Sequence, residues 1–355
     1  MGTEENNIIQ RLASFLSELD SVFSGKTHCL IIVHDNPDPD SIASACALKF
    51  FVKQRYGLSA SVAYGGVVRR AENRAMLQKL QIKMKQISRI KLSKYDMIAL
   101  VDTQTGAGNN PLPDNKRCDL VIDHHPARDP GHTDAVLVIP EIGATATILV
   151  ELLKTAGIQP KSDLATALSY AISSETQNMK RETSQMDIEA FLYVYNKCNM
   201  RTLGEIIHPK LPRSYFITLA RALENAYSFR NLICTHLGEV PQPEIVSEMA
   251  DFFQRHERIT RVFCTGRFKD FFILSIRAST SKAHAGKIIQ KLVKNQETAG
   301  GHEMTAGGYI PVGNMRKDEI ASLEDSLRRE FARLMGYEDA EWNRIIEPRD
   351  GETGT

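Results

Sequence analysis

The stretch CLIIVHDNPDPDS, Cys29 to Ser41, changes character abruptly after five apolar residues and decides how the rest of the chain is read. A continuous apolar run of this length reads as a strand buried on both faces, as in a parallel sheet. Pro37 and Pro39 then stiffen a turn, and the pattern from Ser41 to Lys53 is helical. A strand, a turn and a helix in this order place His34, Asp35, Asp38 and Asp40 at the carboxyl end of the strand.

Two further stretches repeat the design. MIALVDTQ begins at Met97 and DLVIDHHP at Asp119, each an apolar run closing on acids or histidines. Helical patterning between the strands, including 70–84, implies βαβ units and a parallel sheet. Ligands of such sheets gather at the carboxyl ends of the strands, so three separate segments are expected to converge on one rim. A helix from Gly143 to Gly157 and a second one capped by Ser162 read as covers for the sheet. The expected fold class is therefore α/β: a parallel-sheet N-terminal domain at 1–188, a polar connector at 189–212, a smaller α/β domain at 213–342, a tail at 343–355, and a cleft between the domains. His208-Pro209 and Leu211-Pro212 mark the breaks.

Composition bounds the function. The 355 residues carry 44 Lys plus Arg against 43 Asp plus Glu, a net charge of +1, so no general positive field exists to hold a long nucleic acid. Any nucleic-acid ligand is expected to be short. Six cysteines are scattered without a C-x-x-C pair, and read as reduced, mostly buried thiols. Ile8, Leu12, Phe15, Leu16, Leu19 and Phe23 repeat at helical spacing, so the amino terminus reads as an amphipathic helix instead of a signal peptide. No apolar run approaches the roughly 20 residues of a membrane span. A cytoplasmic protein without a membrane partner is expected.

The chemistry lies in the rim. Helix capping explains Asp40 alone but not His34, Asp38 and Asp40 together. With Asp102, Asp123, His124 and His125 added, four acids and three histidines share one edge, and they repel or stay poorly satisfied without cations. Imidazole mixed with carboxylate suits manganese, iron, cobalt or zinc better than calcium. A bridging carboxylate suits a pair of ions roughly 3.5–4 Å apart, which activates water and clamps a phosphoryl group.

These motifs, H-x-x-P-D-x-D-S at His34, V-D-T at Val101, D-H-H at Asp123 and a late G-G-H at Gly300, resemble the DHH phosphoesterase superfamily with its DHH-associated C-terminal domain, found in RecJ-like exonucleases and small NrnA-type phosphodiesterases. The resemblance runs from about Cys29 to Gly308. It implies two Mn2+ ions, one held by His34, Asp38 and Asp102 and the other by Asp40, Asp102, His124 and an acid of the fourth motif. Asp102 is then the bridge, Asp123 orients the histidines, and His125 faces the substrate phosphate. The fourth motif departs from the usual Asp-Thr pair: it reads Ser173-Ser174-Glu175-Thr176-Gln177, with Glu175 as the candidate ligand.

In the C-terminal domain, Gly300, Gly301 and His302, with Ser275 and Arg277, resemble the substrate-holding half of the family. Tyr64 to Arg74 is a weaker candidate for base contact, as are Lys180 and Arg181 for phosphate. His132, His208, His236, His256 and His284 stand outside any ligand spacing and read as structural or exposed. The expected activity is hydrolysis of short nucleotides, linear dinucleotides such as pGpG or pApA and nanoRNA, to mononucleotides. Cyclic dinucleotides, pAp, a catalytically inactive nucleotide sensor, and polyphosphate or pyrophosphate hydrolysis are the alternatives. The resemblance leaves room for a homodimer.

Overall fold

The computed structural model describes residues 3–68, 70–113, 115–129, 131–180, 183–294, 298–301, 303–313 and 315–346. The chain divides into two compact units, Met1–Pro209 and Lys210–Thr355.

The first unit is built on a six-stranded parallel sheet, β1 (His28–Ile32), β2 (Ser59–Tyr64), β3 (Met84–Gln86), β4 (Met97–Val101), β5 (Leu120–Asp123) and β6 (Ala135–Val138), in the order β3-β2-β1-β4-β5-β6. Side chains alternate across it. Cys29, Ile31 and Val33 face the main core with Val62, Ala99 and Ile122, whereas Leu30 and Ile32 face a second cluster with Ala63, Leu100 and Val121.

The main core is covered by α1 (Thr3–Val22), α2 (Pro39–Tyr56), α4 (Thr145–Thr155) and α5 (Ser162–Glu175), with α6 (Gln185–Tyr195) behind them. All six apolar residues of the amino-terminal stripe, Ile8 through Phe23, are buried there. Among the described residues, the opposite face is covered by short 3-10 turns and loops that supply Ile87, Leu92, Tyr95 and Leu112. This asymmetry follows from topology. Right-handed crossovers from β1 through α2 and then α3 (Ala71–Lys79) lie on one face, and after the order reverses at β4 the connections fall on the other.

The segment expected as a connector, 189–212, instead carries most of α6 and all of α7 (Met200–Ile207). Both pack on the first unit, α6 against α4 and α5 and α7 against α3 and α5. Ser162 is the first residue of α5, whose cap position is Lys161. Strands β2, β3 and β6 have no counterpart in the sequence reading.

The second unit opens with α8 (Arg213–Glu224). Its seven-stranded mixed sheet contains β7 (Ala226–Phe229), β8 (Leu232–Glu239), β9 (Arg261–Phe268), β10 (Phe271–Ala278), β11 (Ala299–Gly301), β12 (Thr305–Pro311) and β13 (Asn343–Arg344), ordered β11-β12-β10-β9-β8-β7-β13. Only the β8–β9 pair is parallel. One face packs on α8 and α9 (Glu244–Phe253), the other on α10 (Ala285–Val293) and α11 (Lys317–Leu334). Asn343 and Arg344, expected in the tail, pair with β7. Residues 347–355 of that tail lie outside the described residues.

Candidate metal centre

The strand order reverses between β1 and β4, so their carboxyl ends open the crevice where open α/β sheets bind ligands. His34 follows β1 and Asp102 follows β4 directly. Asp102 has φ of 60°, a left-handed conformation that disfavours most side chains and is tolerated by Asp and Asn. It is held there by its N–H, which donates to the Ile122 carbonyl at 3.0 Å, and by Oδ1, which accepts from the Thr145 hydroxyl at 2.8 Å.

Asp38, rather than Asp40, caps α2. The Ser41 N–H donates to Asp38 Oδ1 at 2.9 Å and the Asp38 N–H to Ser41 Oγ at 3.1 Å, a reciprocal capping box with Pro39 at the first helical position. Asp40 is buried and reaches across to the amino terminus of α4. Its two oxygens accept from the N–H groups of Thr145 at 2.8 Å and Ala146 at 2.7 Å. Burial, with Asp102, Glu175 and Asp38 close by, pushes its carboxyl well above the usual range.

The histidines supply the decisive geometry. His34 Nδ1 lies 2.9 Å from the Asp35 carbonyl and His124 Nδ1 lies 3.2 Å from the Ile142 carbonyl. A carbonyl only accepts, so each ring donates from Nδ1 and each neutral imidazole turns an Nε2 lone pair inward. His34 Nε2 faces Asp38 Oδ1 at 3.4 Å and Asp102 Oδ2 at 3.5 Å. His124 Nε2 faces Asp102 Oδ1 at 3.8 Å and Asp40 Oδ2 at 3.9 Å, and is buried without a hydrogen-bond partner. Lone pairs aimed at carboxylates demand positive charge between them. Although burial opposes it, the carboxylates of Asp102 and Asp38 raise the His34 imidazole far above its ordinary value.

Among the described residues, two groups bring their ligand atoms within 4.8 Å of one another: His34, Asp38 and Asp102, and Asp102, His124 and His125. Asp102 belongs to both. Asp123 is buried at the end of β5 and accepts from the N–H groups of His124 at 2.8 Å and His125 at 3.3 Å, and from His125 Nδ1 at 2.9 Å. Burial raises its carboxyl, but His125 and Gln104 outweigh that and leave it below the ordinary value; its partner His125, half exposed, is pushed up to about 9. Glu175 ends α5 and is felt electrostatically by both Asp40 and His125.

Sequence reasoning missed the residues that hold this rim. Thr145 ties Asp40 to Asp102. Gln104 donates to Asp123 Oδ2 at 2.7 Å and to the Pro126 carbonyl at 3.2 Å, and its Oε1 accepts from the Arg128 N–H at 2.8 Å. Buried Asp187 accepts from the Gly143 N–H at 2.9 Å and the Thr147 hydroxyl at 2.6 Å, fixing the turn that presents Thr145. The spacing Ser184-x-x-Asp187, a capping box observed at α6, was the available signal. The Tyr64 to Arg74 stretch supports the first motif: a Cβ at Gly65 would lie 1.8 Å from Asp35 Oδ1, and Asn73 Nδ2 donates to the Pro37 carbonyl at 3.3 Å.

In the second unit, Ser275 stands opposite Gly307, and Gly307 opposite Gly300. A Cβ at Gly301 would lie 2.4 Å from Ala306 Cα, so that strand approach requires glycine. Arg277, expected to be free for substrate, is paired with Asp251 and donates to Ser275 Oγ at 3.0 Å. His302 and Arg181 lie outside the described residues; Lys180 is exposed. His236 is tied to Glu324 and His284 to Glu303, in keeping with structural roles.

Residues 28–172 match the family model described as the DHH family, N-terminal domain. This stretch of the chain is a DHH-family N-terminal domain. It is 34% identical over 327 residues to an uncharacterised protein of Methanocaldococcus jannaschii, covering 89% of this chain and 66% of that one. It is 31% identical over 163 residues to the probable manganese-dependent inorganic pyrophosphatase of Bacillus licheniformis, covering 45% of this chain and 52% of the pyrophosphatase. The match spans about two thirds of the length of the first relative and about half of the second. A solved exopolyphosphatase-related protein from Bacteroides fragilis superposes with a TM-score of 0.68 at 14% identity, covering 91% of this chain and 98% of that one, which is a likeness of fold. Among the described residues, no helix is long and apolar enough to cross a membrane.

Proposed function

We propose that this DHH-family chain is a metal-dependent phosphoesterase that hydrolyses short nucleotide substrates, with linear dinucleotides as its preferred class. The observation that carries the reading is the pair of inward Nε2 lone pairs of His34 and His124 facing the carboxylates of Asp38, Asp40 and Asp102. In this reading His34, Asp38 and Asp102 hold one divalent ion, Asp40, Asp102, His124 and Glu175 a second, and Mn2+ is the ion of choice for the mixed nitrogen and oxygen donors. Such a pair, when bound, lowers the pKa of water and neutralises a phosphoryl group.

The protein's own residues do the rest. The Ile142 and Asp35 carbonyls fix the ring tautomers and keep both Nε2 atoms available. The amino terminus of α4 holds Asp40 in place through two N–H groups. Asp123 holds the half-exposed His125 ring as a protonated donor, suited to a phosphate oxygen. Ser275, Arg277, Gly300, Gly301 and His302 are the proposed substrate residues of the second unit, with Arg277 positioned by Asp251.

Hydrolysis of inorganic pyrophosphate is the second reading, favoured by the 31% identity with the Bacillus licheniformis pyrophosphatase. That match covers 163 residues, 45% of the chain. Product analysis with added Mn2+ separates the two. Nucleoside monophosphates released from pApA or pGpG, with slow release of phosphate from pyrophosphate, support the dinucleotide reading; the reverse order of rates overturns it.

A further inference from the structure

Three cations of the second unit make no ion pair among the described residues. Arg261 opens β9, and Lys287 and Lys291 stand one turn apart on α10. They line one hollow of about 310 Å3, whose walls also include Ala283, Ile288 and Leu334. The Nε of Arg261 is buried with no hydrogen-bond partner, and neither lysine makes an ion pair among the described residues. His284, which also lines the hollow, is paired with Glu303 at 2.5 Å. Lys287 and Lys291 are exposed like charges four residues apart on one helix, which repel, and beside them the buried Nε of the half-buried Arg261 lacks a partner. An anion in the hollow relieves both.

The hollow and Arg277 lie on opposite faces of the sheet. Arg277 stands opposite Val262 and turns toward Asp251 of α9. Arg261 stands opposite Ala278, one residue out of phase, and so faces α10 and the end of α11 on the other side of the sheet. We propose that Arg261, Lys287 and Lys291 form a second anion site, which takes a compact ligand carrying several phosphate charges. The cavity size favours a small molecule over a polymer, and the apolar wall suits a ligand with a non-polar portion beside its phosphates. Nothing in this assignment depends on the metal centre.

The test uses the full chain in a chelating buffer, so that no turnover occurs and the carboxylate rim repels anions. Inorganic tripolyphosphate is titrated calorimetrically into wild type, the double variant Lys287→Gln/Lys291→Gln, and the single variants Arg277→Gln and Asp102→Asn, with melting curves to establish folding. One-site binding weakened at least tenfold in the double variant and changed less than twofold in the other two is the expected result. Absence of binding to wild type, equal affinity in the double variant, or loss in Arg277→Gln overturns the site. A ten-nucleotide RNA is titrated in parallel. Binding of the RNA without the tripolyphosphate assigns the hollow to a strand backbone and overturns the small-ligand proposal.

Discussion

The Thr145 hydroxyl donates to Asp102 Oδ1 at 2.8 Å, while the same residue's N–H donates to Asp40 Oδ2 at 2.8 Å. One residue at the start of α4 therefore sets the separation of two carboxylates, one in the first turn of α2 and the other just after β4.

Thr145→Val keeps the shape and the N–H but removes the hydroxyl. Outer partners of metal ligands are typically worth about 10–100-fold in metal affinity or activity, and a loss in that range is expected here. Mn2+ titration of the variant beside a thermal melt checks it. Unchanged metal affinity would mean that Asp102 does not need Thr145 for its orientation.

Asp102 belongs to both ligand groups, and its φ of 60° suits Asn better than Ala. Asp102→Asn is thus expected to stay folded and to lose nearly all turnover. Wild-type protein treated with a chelator is expected to lose activity and recover it with Mn2+, whereas Mg2+ restores little because imidazole is a poor partner for so hard an ion. Activity that survives exhaustive chelation, or an Asp102→Asn variant with more than a modest fraction of the wild-type rate, is the contrary result.

The strands that carry the chemistry were legible because Cys29–Val33, Met97–Val101 and Leu120–Ile122 are apolar without interruption and end in acids or histidines. Ser59–Tyr64 and Met84–Gln86 were not, since they lie toward the edge of the sheet and mix polar with apolar residues. The stretch 189–212 looked like a connector because its apolar residues cover one side of two short helices, and Leu192, Met200 and Ile207 remain exposed. Within the site, the motif residues announced themselves by type. Thr145, Gln104 and Asp187 are ordinary residues in sequence and acquire a role only once α4, α6 and the 123–128 turn are brought together. Arg277 was read correctly as standing at a strand end, but its partner Asp251 lies on a helix 26 residues away, a pairing that spacing does not reveal.

Burial pushes the Cys118 thiol up to about 12. The unfolded chain releases this proton near pH 8.5, so above about pH 9 the unfolded state binds fewer protons than the native state and stability falls as pH rises. Each such thiol contributes a slope of about −1.4 kcal/mol per pH unit until the native thiol itself ionises. Cys118→Ala is expected to lower stability overall but to flatten the dependence between about pH 9 and 12 by that amount. Denaturant melts of both proteins across the range measure the difference, and parallel curves would show that Cys118 ionises equally in both states.

Length selection follows from charge. With 44 basic against 43 acidic residues, the chain lacks the general positive field that draws long strands through counterion release. Under the proposed function, each nucleotide added beyond two brings phosphate charge without a general positive field to hold it. kcat/KM is therefore expected to be highest for 5′-phosphorylated dinucleotides and to fall as nucleotides are added. His302→Ala should reduce dinucleotide turnover mainly through KM while leaving Mn2+ affinity unchanged, because its proposed role is to anchor substrate and not to hold metal. A labelled series from two to about ten nucleotides checks this, reaching well into the ~4–16 nucleotide sites of dedicated single-strand binders. Rates that hold steady or rise along the series would require contacts that follow the strand, and the substrate would then be a polymer degraded from its end.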